Sequence, residues 1–162
     1  MLTSNIQPPV SLRPAIFEDL DAILSVEKRV HTVPWEKAHF QGELEKSYSR
    51  LWVLTDDETD SIVYGYAVFW VMGESAEVLN IAVDIPHRGL GLAKLMLQQI
   101  INEAMRLGLE NLMLDVRKSN LPAVGLYQRA GLSITQYRKG FYSNGEDAYH
   151  MTVGLTGEAT EF

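Results

Sequence analysis

Two glycines with basic residues on either side open a helix in the middle of the chain. The segment Arg88-Gly89-Leu90-Gly91-Leu92-Ala93-Lys94 follows a short apolar strand and a polar loop that contains Pro86. A helix N-terminus offers unpaired N–H groups and the positive end of the helix dipole, and glycines let a ligand approach the backbone closely. Such an arrangement is typical of a phosphate or pyrophosphate site, to which Arg88 and Lys94 would add positive charge.

Two other nucleotide-binding patterns fit this segment poorly. A dinucleotide-binding loop has G-x-G-x-x-G directly after a strand, whereas here Lys94 stands at the third glycine position and Asp84 to Arg88 intervene before Gly89. A Walker A loop needs Gly-Lys-Ser or Gly-Lys-Thr, which this chain lacks. Simple capping by the glycines is a further alternative, and the basic neighbours favour the phosphate site over it.

The periodicity of apolar residues predicts the elements that position this segment. Strands are expected at Val10–Arg13, Arg50–Thr55, Ile62–Met72, Glu77–Val83, Asn111–Val116, Ser133–Arg138 and Ala148–Leu155, and helices at Phe17–Val30, Glu36–Lys46, Gly89 to about Leu107, and Pro122 to Gly131. Short turns between the early strands indicate an antiparallel meander, and the later strand–helix–strand order implies a parallel pair. The sequence therefore predicts an α+β domain with a mixed, mostly antiparallel sheet and flanking helices, in which a ligand slot forms where the strand order switches.

Length and composition limit the class of protein. The 162 residues fit one domain, 1–162, with 1–9 and 156–162 expected to be flexible tails. Absence of cysteine excludes a disulfide framework, a thiol nucleophile and a cysteine zinc site, and the four histidines show no metal spacing. A net charge of −7 argues against nucleic-acid binding, and no stretch resembles a signal peptide or a membrane span. We predict a cytoplasmic protein that holds no metal.

The glycine segment belongs to a longer resemblance. Arg88-Gly89-Leu90-Gly91-Leu92-Ala93 fits R/Q-x-x-G-x-G/A and resembles the pyrophosphate-binding motif of the GCN5-related N-acetyltransferases (GNAT). NIAVD before it, and LDVRKSN, AVGLYQRAGL and GEDAYHM after it, are similar to the RimI-type ribosomal-protein-alanine N-acetyltransferases. The resemblance covers almost the whole chain. It implies the GNAT (acyl-CoA N-acyltransferase) fold, whose central parallel pair of strands splays apart.

This resemblance implies acetyl-CoA as the co-substrate and a set of residues that hold it. The backbone amides of Arg88, Gly89, Leu90, Gly91, Leu92, Ala93 and Lys94 would bind the pyrophosphate, and Ile81, Ala82 and Val83 would pair with the pantetheine arm like an extra strand. The Val83 region would also belong to the oxyanion environment. Asn120 is placed on the cofactor by the resemblance, whereas its residue type alone indicates an ordinary helix cap.

The resemblance also implies the acid–base residues. Tyr127 would protonate the departing thiolate, since a phenol with an ordinary pKa of about 10 keeps its proton at neutral pH; half-buried packing is the alternative. Asp115 stands where the RimI-type enzymes have a glutamate base and is one methylene shorter. It could act directly, act through a water, or only orient the ammonium, and an ion pair with Arg117 or another neighbour is the alternative. Glu77 is the second candidate base.

The function implied is transfer of an acetyl group from acetyl-CoA to a protein N-terminal α-amine, with the N-terminal alanine of a small-subunit ribosomal protein as the favoured acceptor. Trp35, Glu36, Tyr142, Glu146 and Asp147 are candidates for acceptor contacts, against packing or solvated turns as alternatives. Other possibilities are a small-molecule amine or internal lysine as acceptor, and a CoA-binding regulatory module with little activity. We expect a monomer or weak dimer that binds neither nucleic acid nor membrane directly.

Overall fold

The computed structural model describes residues 7–155. Its α-helices are α1 (Leu20–Val30), α2 (Lys37–Glu45), α3 (Leu92–Arg106) and α4 (Leu121–Arg129). Its strands are β1 (Val10–Pro14), β2 (Ser49–Asp56), β3 (Val63–Met72), β4 (Ser75–Val83), β5 (Asn111–Arg117), β6 (Ser133–Arg138) and β7 (Ala148–Gly154). The predicted helices and strands are therefore confirmed with small differences at their ends. Short 3-10 helices at Phe17–Asp19 and Ile85–His87 differ from the helix and loop predicted there.

The strands pair in the order β1-β2-β3-β4-β5-β7-β6. β4 and β5 are parallel, with Ser75 opposite Asn111 and Val78 opposite Leu114. The pairs β1–β2, β5–β7 and β6–β7 are antiparallel. This is the predicted α+β class, a mixed sheet with one parallel pair and flanking helices.

The chain forms two compact units. The first unit contains the described chain up to Phe69 together with Asn80–Leu97, and the second contains Trp70–Leu79 and the described chain from Gln98 onward. The single domain predicted for 1–162 stays a prediction. The tails predicted at 1–9 and 156–162 lie mostly outside the described residues.

The core of the first unit is built on α1, α2 and the aromatic strand β3. Leu20, Ile23 and Val26 recur at helical spacing on α1 and are almost fully buried. Phe40 of α2 meets Tyr66 of β3 edge-on, with ring centroids 5.4 Å apart. Burial of each such large apolar side chain contributes about 1.5–3 kcal/mol relative to exposure, so these contacts fix α1 and α2 against β3.

The second unit is organised by the alternation of β5. Leu112, Leu114 and Val116 are buried, whereas Met113, Asp115 and Arg117 on the other face are only partly covered. Successive side chains of a strand point to opposite faces, so one apolar face packs into the core and the other carries Asp115. The strand thereby holds Asp115 on a rigid element.

Two features are absent from residues 7–155. No helix in this range is long and apolar enough to cross a membrane. The same residues contain no group of three His, Cys, Asp or Glu side chains that could hold a metal ion. The cytoplasmic location stays a prediction.

Candidate active site

The loop after β4 is tied to α1 through Asp84. Its carboxylate accepts hydrogen bonds from Arg29 Nε at 2.9 Å and Arg29 Nη2 at 2.7 Å, and a third from the Ile85 N–H. The Asp84 N–H donates to the Tyr64 carbonyl at 2.8 Å. Hydrogen bonds from Arg29 lower the pKa of Asp84 below its ordinary value, although burial opposes this. The buried, ionised carboxylate therefore fixes the start of the loop.

Two glycines shape the backbone that leads into α3. Gly89 and Gly91 have φ angles of +80° and +76°, in the left-handed region that favours glycine. The Gly91 carbonyl accepts from the Leu95 N–H at 3.0 Å, which closes the first turn of α3. The N–H groups at the start of this 15-residue helix have no partner within the helix. These donors, with the positive end of the helix dipole, suit a pyrophosphate.

The glycine segment is mostly exposed, and Gln7 Nε2 donates to its Leu90 and Gly91 carbonyls, each at 3.4 Å. Arg88, Gly89, Gly91 and Lys94 are exposed, Leu90 and Ala93 are partly covered, and Leu92 is buried. A Cβ atom at Gly89 would meet no described atom within 4 Å, whereas one at Gly91 would lie 3.6 Å from Gln7 Nε2. Arg88 Nε donates to the Val83 carbonyl at 3.3 Å, which brings the glycine segment and the end of β4 together.

The last residues of β4 lie against β3 at a glycine. Ala82 is buried, whereas Ile81 and Val83 are partly exposed. A Cβ atom at Gly65 would overlap the carbonyl oxygen of Ala82, so only glycine permits this approach. Gly65 was not among the predicted site residues. Its signal was a lone glycine within a strand otherwise rich in aromatic and β-branched residues, which often marks a close backbone approach.

A buried carboxylate connects α1 to the loop that contains Trp35. Glu27 is only 2% exposed and its Oε1 accepts from the Trp35 N–H at 3.1 Å. Asn80 of β4 lies 3.4 Å from Glu27 Oε2 and donates to the Tyr66 hydroxyl at 2.8 Å. Glu27 was not among the predicted site residues. Its signal was a charged residue at a core-facing position of an amphipathic helix.

In the second unit, Asp115 contacts two side chains from other strands. His150 Nδ1 of β7 lies 2.8 Å from Asp115 Oδ1. Arg138 Nε of β6 lies 3.0 Å from the same oxygen, at an angle that does not form a hydrogen bond. The Asp115 and His150 side chains are 17% and 12% exposed, so both are largely removed from solvent. Asp115 therefore belongs to a cluster with Arg138 and His150, two partners that the sequence did not single out.

Arg117, named as a possible ion-pair partner of Asp115, has a different environment. Its guanidinium donates to Glu146 Oε2 at 3.0 Å and lies over the Tyr142 ring, 3.9 Å from the centroid. Ser119 also hydrogen-bonds Glu146. The neighbour that pairs with Asp115 is thus Arg138, and Arg117 instead anchors the loop between β6 and β7.

Tyr127 lies on α4 and is half-buried. Burial is the main cause that raises the pKa of its phenol to about 12, and the Tyr142 side chain contributes further. Among the described residues, no hydrogen bond joins Tyr127 to Asp115. The phenol holds its proton more firmly than an ordinary tyrosine, which suits a group that must stay protonated until it donates.

Two further predicted residues have ordinary structural surroundings. The Asn120 side chain accepts from the Ala123 N–H at 3.3 Å and caps α4, as its residue type alone indicates. Glu77 is partly exposed on β4, opposite Met113 in the parallel register. Neither a cofactor contact of Asn120 nor a basic role of Glu77 is tested by these contacts, so both stay predictions.

Comparison with known proteins identifies the family. The model of the acetyltransferase (GNAT) family matches residues 17–132. A ribosomal protein bS18-alanine N-acetyltransferase of Salmonella typhimurium is 31% identical over 85% of this chain and 93% of its own. A Bacillus subtilis protein whose name provisionally gives the same activity is 34% identical over 85% of this chain and 91% of its own.

The fold comparison agrees with the sequence comparison. The crystal structure of the ribosomal-protein-S18-alanine N-acetyltransferase from Escherichia coli superimposes with a TM-score of 0.82 and 28% identity, covering 94% of this chain and 99% of that one. The predicted resemblance to the RimI-type enzymes is thus confirmed. Enzymes of the matched family use acetyl-CoA. The chain belongs to the GNAT acetyltransferase family.

Proposed function

We propose that the protein transfers an acetyl group from acetyl-CoA to a protein N-terminal α-amine, and that the N-terminal alanine of ribosomal protein bS18 is its acceptor. The observation that carries the proposal is the left-handed pair Gly89 and Gly91 at the N-terminus of α3, in a chain of the GNAT family. The acceptor is inferred from relatives that bear this activity in their names and align along most of both chains.

Acetyl-CoA would supply an acetyl group activated as a thioester, and residues of the first unit would hold it. The N–H groups of Arg88 to Lys94 would bind its pyrophosphate, and the partly exposed Ile81 and Val83, on either side of the buried Ala82, would pair with its extended arm. Arg88 and Lys94, both exposed, would add charge that favours the phosphates. In the second unit, Asn120 is the proposed contact.

The acid–base groups proposed for the second unit are Asp115 and Tyr127. An α-amine has an ordinary pKa of about 8, so its deprotonation at neutral pH costs only about 1–1.5 kcal/mol, and a modest base is sufficient. The negative charge of Asp115 would orient the ammonium and promote removal of its proton. Tyr127, whose pKa is about 12, keeps a proton available for the leaving sulfur.

A thiol-release assay with three acceptors tests the proposal. We expect CoA release with an Ala-starting peptide, and little with the same peptide blocked at its α-amine or with a polyamine. Turnover with the polyamine and not with the Ala-starting peptide would favour a small-molecule acceptor. Turnover with the blocked peptide, at an internal lysine, would favour a lysine acceptor. Tight CoA binding without release would favour a regulatory module. We further propose that the protein acts in the cytoplasm, as a monomer or weak dimer that binds neither nucleic acid nor membrane directly.

A further inference from the structure

We propose that His150 accepts the proton of the acceptor amine, and that Asp115 orients the His150 imidazole for this purpose. The inference rests on the proposed function and makes its base more specific. In place of a carboxylate that acts alone, the base is a carboxylate–imidazole pair that joins β5 to β7.

The backbone register brings the two side chains together. Asp115 lies directly opposite His150 in the antiparallel pair of β5 and β7. Directly opposed residues share a face of the sheet, and here Nδ1 and Oδ1 are 2.8 Å apart. A carboxylate can only accept, so the 2.8 Å contact with Asp115 requires a proton on Nδ1, whereas Arg138 Nη2, which can only donate, would require a lone pair there from 3.4 Å away. The shorter contact favours the Nδ1–H tautomer, which leaves the Nε2 lone pair available. No described residue is hydrogen-bonded to Nε2.

The other charged group of the cluster comes from β6. Arg138 Nε lies 3.0 Å from Asp115 Oδ1, and Arg138 Nη2 lies 3.4 Å from His150 Nδ1. One oxygen of Asp115 therefore faces both a guanidinium and an imidazole. Asp115 balances the guanidinium charge beside His150, and it would also stabilise the imidazolium that forms when Nε2 gains a proton.

General chemistry favours imidazole over carboxylate for this step. Transfer from an α-ammonium of ordinary pKa about 8 to a carboxylate of ordinary pKa about 4 is uphill by a factor of about 10⁴. Transfer to an ordinary imidazole, whose pKa is about 6.5, is uphill by a factor of only about 30. Aspartate is also one methylene shorter than the glutamate of the resembled enzymes, so its reach toward an amine is smaller.

The proposed step moves one proton. An N–H bond of the acceptor ammonium breaks, its electron pair stays on nitrogen, and the Nε2 lone pair of His150 forms the new N–H bond. The Nδ1–H remains hydrogen-bonded to Asp115 throughout, and the imidazolium later returns its proton to water. The neutral amine is then able to act as the nucleophile.

Nuclear magnetic resonance of the protein without substrates tests the pairing independently of activity. The ¹⁵N shifts of the His150 ring should show the Nδ1–H tautomer in the wild type. The Asp115→Asn variant should lose this preference, because an amide can donate as well as accept. A wild-type ring protonated at Nε2 alone would overturn the proposal.

Kinetics of His150→Gln with an Ala-starting peptide test the chemical step. We expect kcat/KM to fall by about 10²-fold or more, with CoA affinity by calorimetry unchanged and partial rescue by added imidazole. Gln136→Ala is the control, since Gln136 is exposed and lies opposite His150 on β6. It should retain the wild-type rate.

The outcomes separate this inference from the proposed function. If the wild type acetylates the peptide and His150→Gln keeps its rate within about 3-fold, then His150 does not take the proton while the proposed function stands. If the wild type itself acetylates no α-amine, the proposed function fails, and the ring tautomer still decides whether the pair exists. His150→Asn serves as a second variant should His150→Gln fold poorly.

Discussion

At the scale of single residues, the surroundings of Tyr127 and Asp115 set what each group can do. Burial holds the Tyr127 phenol in its protonated form, while Asp115 shares one oxygen between His150 and Arg138. Both residues were predicted, because each lies in a motif that resembles a known family. His150 was not predicted as a partner. It is 35 residues from Asp115, and only the β5–β7 register brings the two together.

Replacing Tyr127 with phenylalanine should lower kcat by about 10²-fold or more, the usual contribution of a general acid. Because the pKa of Tyr127 is about 12, the wild-type rate should not fall through loss of this proton below about pH 10.5. Rates measured from pH 6 to pH 10.5 check both points. Tyr137→Phe is the control, because Tyr137 is an exposed tyrosine of β6 whose hydroxyl donates to Asp147, and its rate should depend on pH as in the wild type. An alkaline fall near pH 9 that disappears in Tyr127→Phe would contradict the assignment.

At the scale of elements, the glycine segment and the end of β4 carry the proposed cofactor site. Apolar periodicity was sufficient to predict β4 and α3, since each has one clear buried face. The 3-10 helix at Ile85–His87 was not predictable, because it depends on Asp84, which is held by Arg29 of α1. Local sequence thus indicates regular elements well, whereas the shape of a loop depends on distant partners.

Gly89→Ala should weaken CoA binding about 10-fold or more, since a methyl group would narrow the approach to the backbone amides. An alanine held at φ +80° is strained, which should also cost about 1–2 kcal/mol of stability. Gly108→Ala is a matched control, because Gly108 has φ +73° and a Cβ there also meets nothing within 4 Å. Urea unfolding should show similar losses of stability for the two variants. Calorimetry should show weaker CoA binding for Gly89→Ala alone. Equal CoA affinity in the two variants would argue against the pyrophosphate site.

Gly65→Ala should destabilise the protein by about 1–3 kcal/mol, because the new methyl overlaps the Ala82 carbonyl and forces β3 and β4 to shift. CoA affinity should fall with it, since Ala82 lies in the strand proposed to hold the cofactor arm. Gly42→Ala should have the opposite effect, because a Cβ there meets nothing within 4 Å and alanine is favoured over glycine inside a helix such as α2. We expect the protein to gain about 0.5–1 kcal/mol of stability. Urea unfolding measures both. A Gly65→Ala protein of wild-type stability would show that β4 adapts freely.

At the scale of the whole molecule, carboxylates bound to arginines link stability to pH. Arg13 lowers the pKa of Asp19, and Arg29 lowers that of Asp84. A carboxyl whose pKa is lower in the folded state stabilises the protein fully above its ordinary value of 3.8, and this stabilisation is lost as the pH falls through the lowered value. The protein should therefore lose stability progressively below about pH 4.

Asp84→Asn isolates one of these pairs. At pH 7 the free energy of unfolding of this variant should be about 1–2 kcal/mol lower than that of the wild type. The loss is smaller than for a fully buried pair, because the Arg29 side chain is half exposed. The difference from wild type should begin to shrink as the pH falls below 3.8 and continue to shrink down to the lowered pKa of Asp84, below which the folded wild-type carboxyl is also neutral. Asp21→Asn, at a side chain 83% exposed, should change stability by less than about 0.5 kcal/mol. A deficit for Asp84→Asn that is constant from pH 7 to pH 2.5 would show that the ionised pair is not its cause.

The most direct test of the central claim is to locate the acetyl group on a single peptide by mass spectrometry. The peptide begins with alanine, contains an internal lysine and is incubated with the protein and acetyl-CoA. We predict that the acetyl group is found on the α-amine of the alanine, and that Asp115→Asn and Tyr127→Phe reduce this product. Acetylation of the lysine alone, or an unmodified peptide where a polyamine is readily acetylated, would contradict the account.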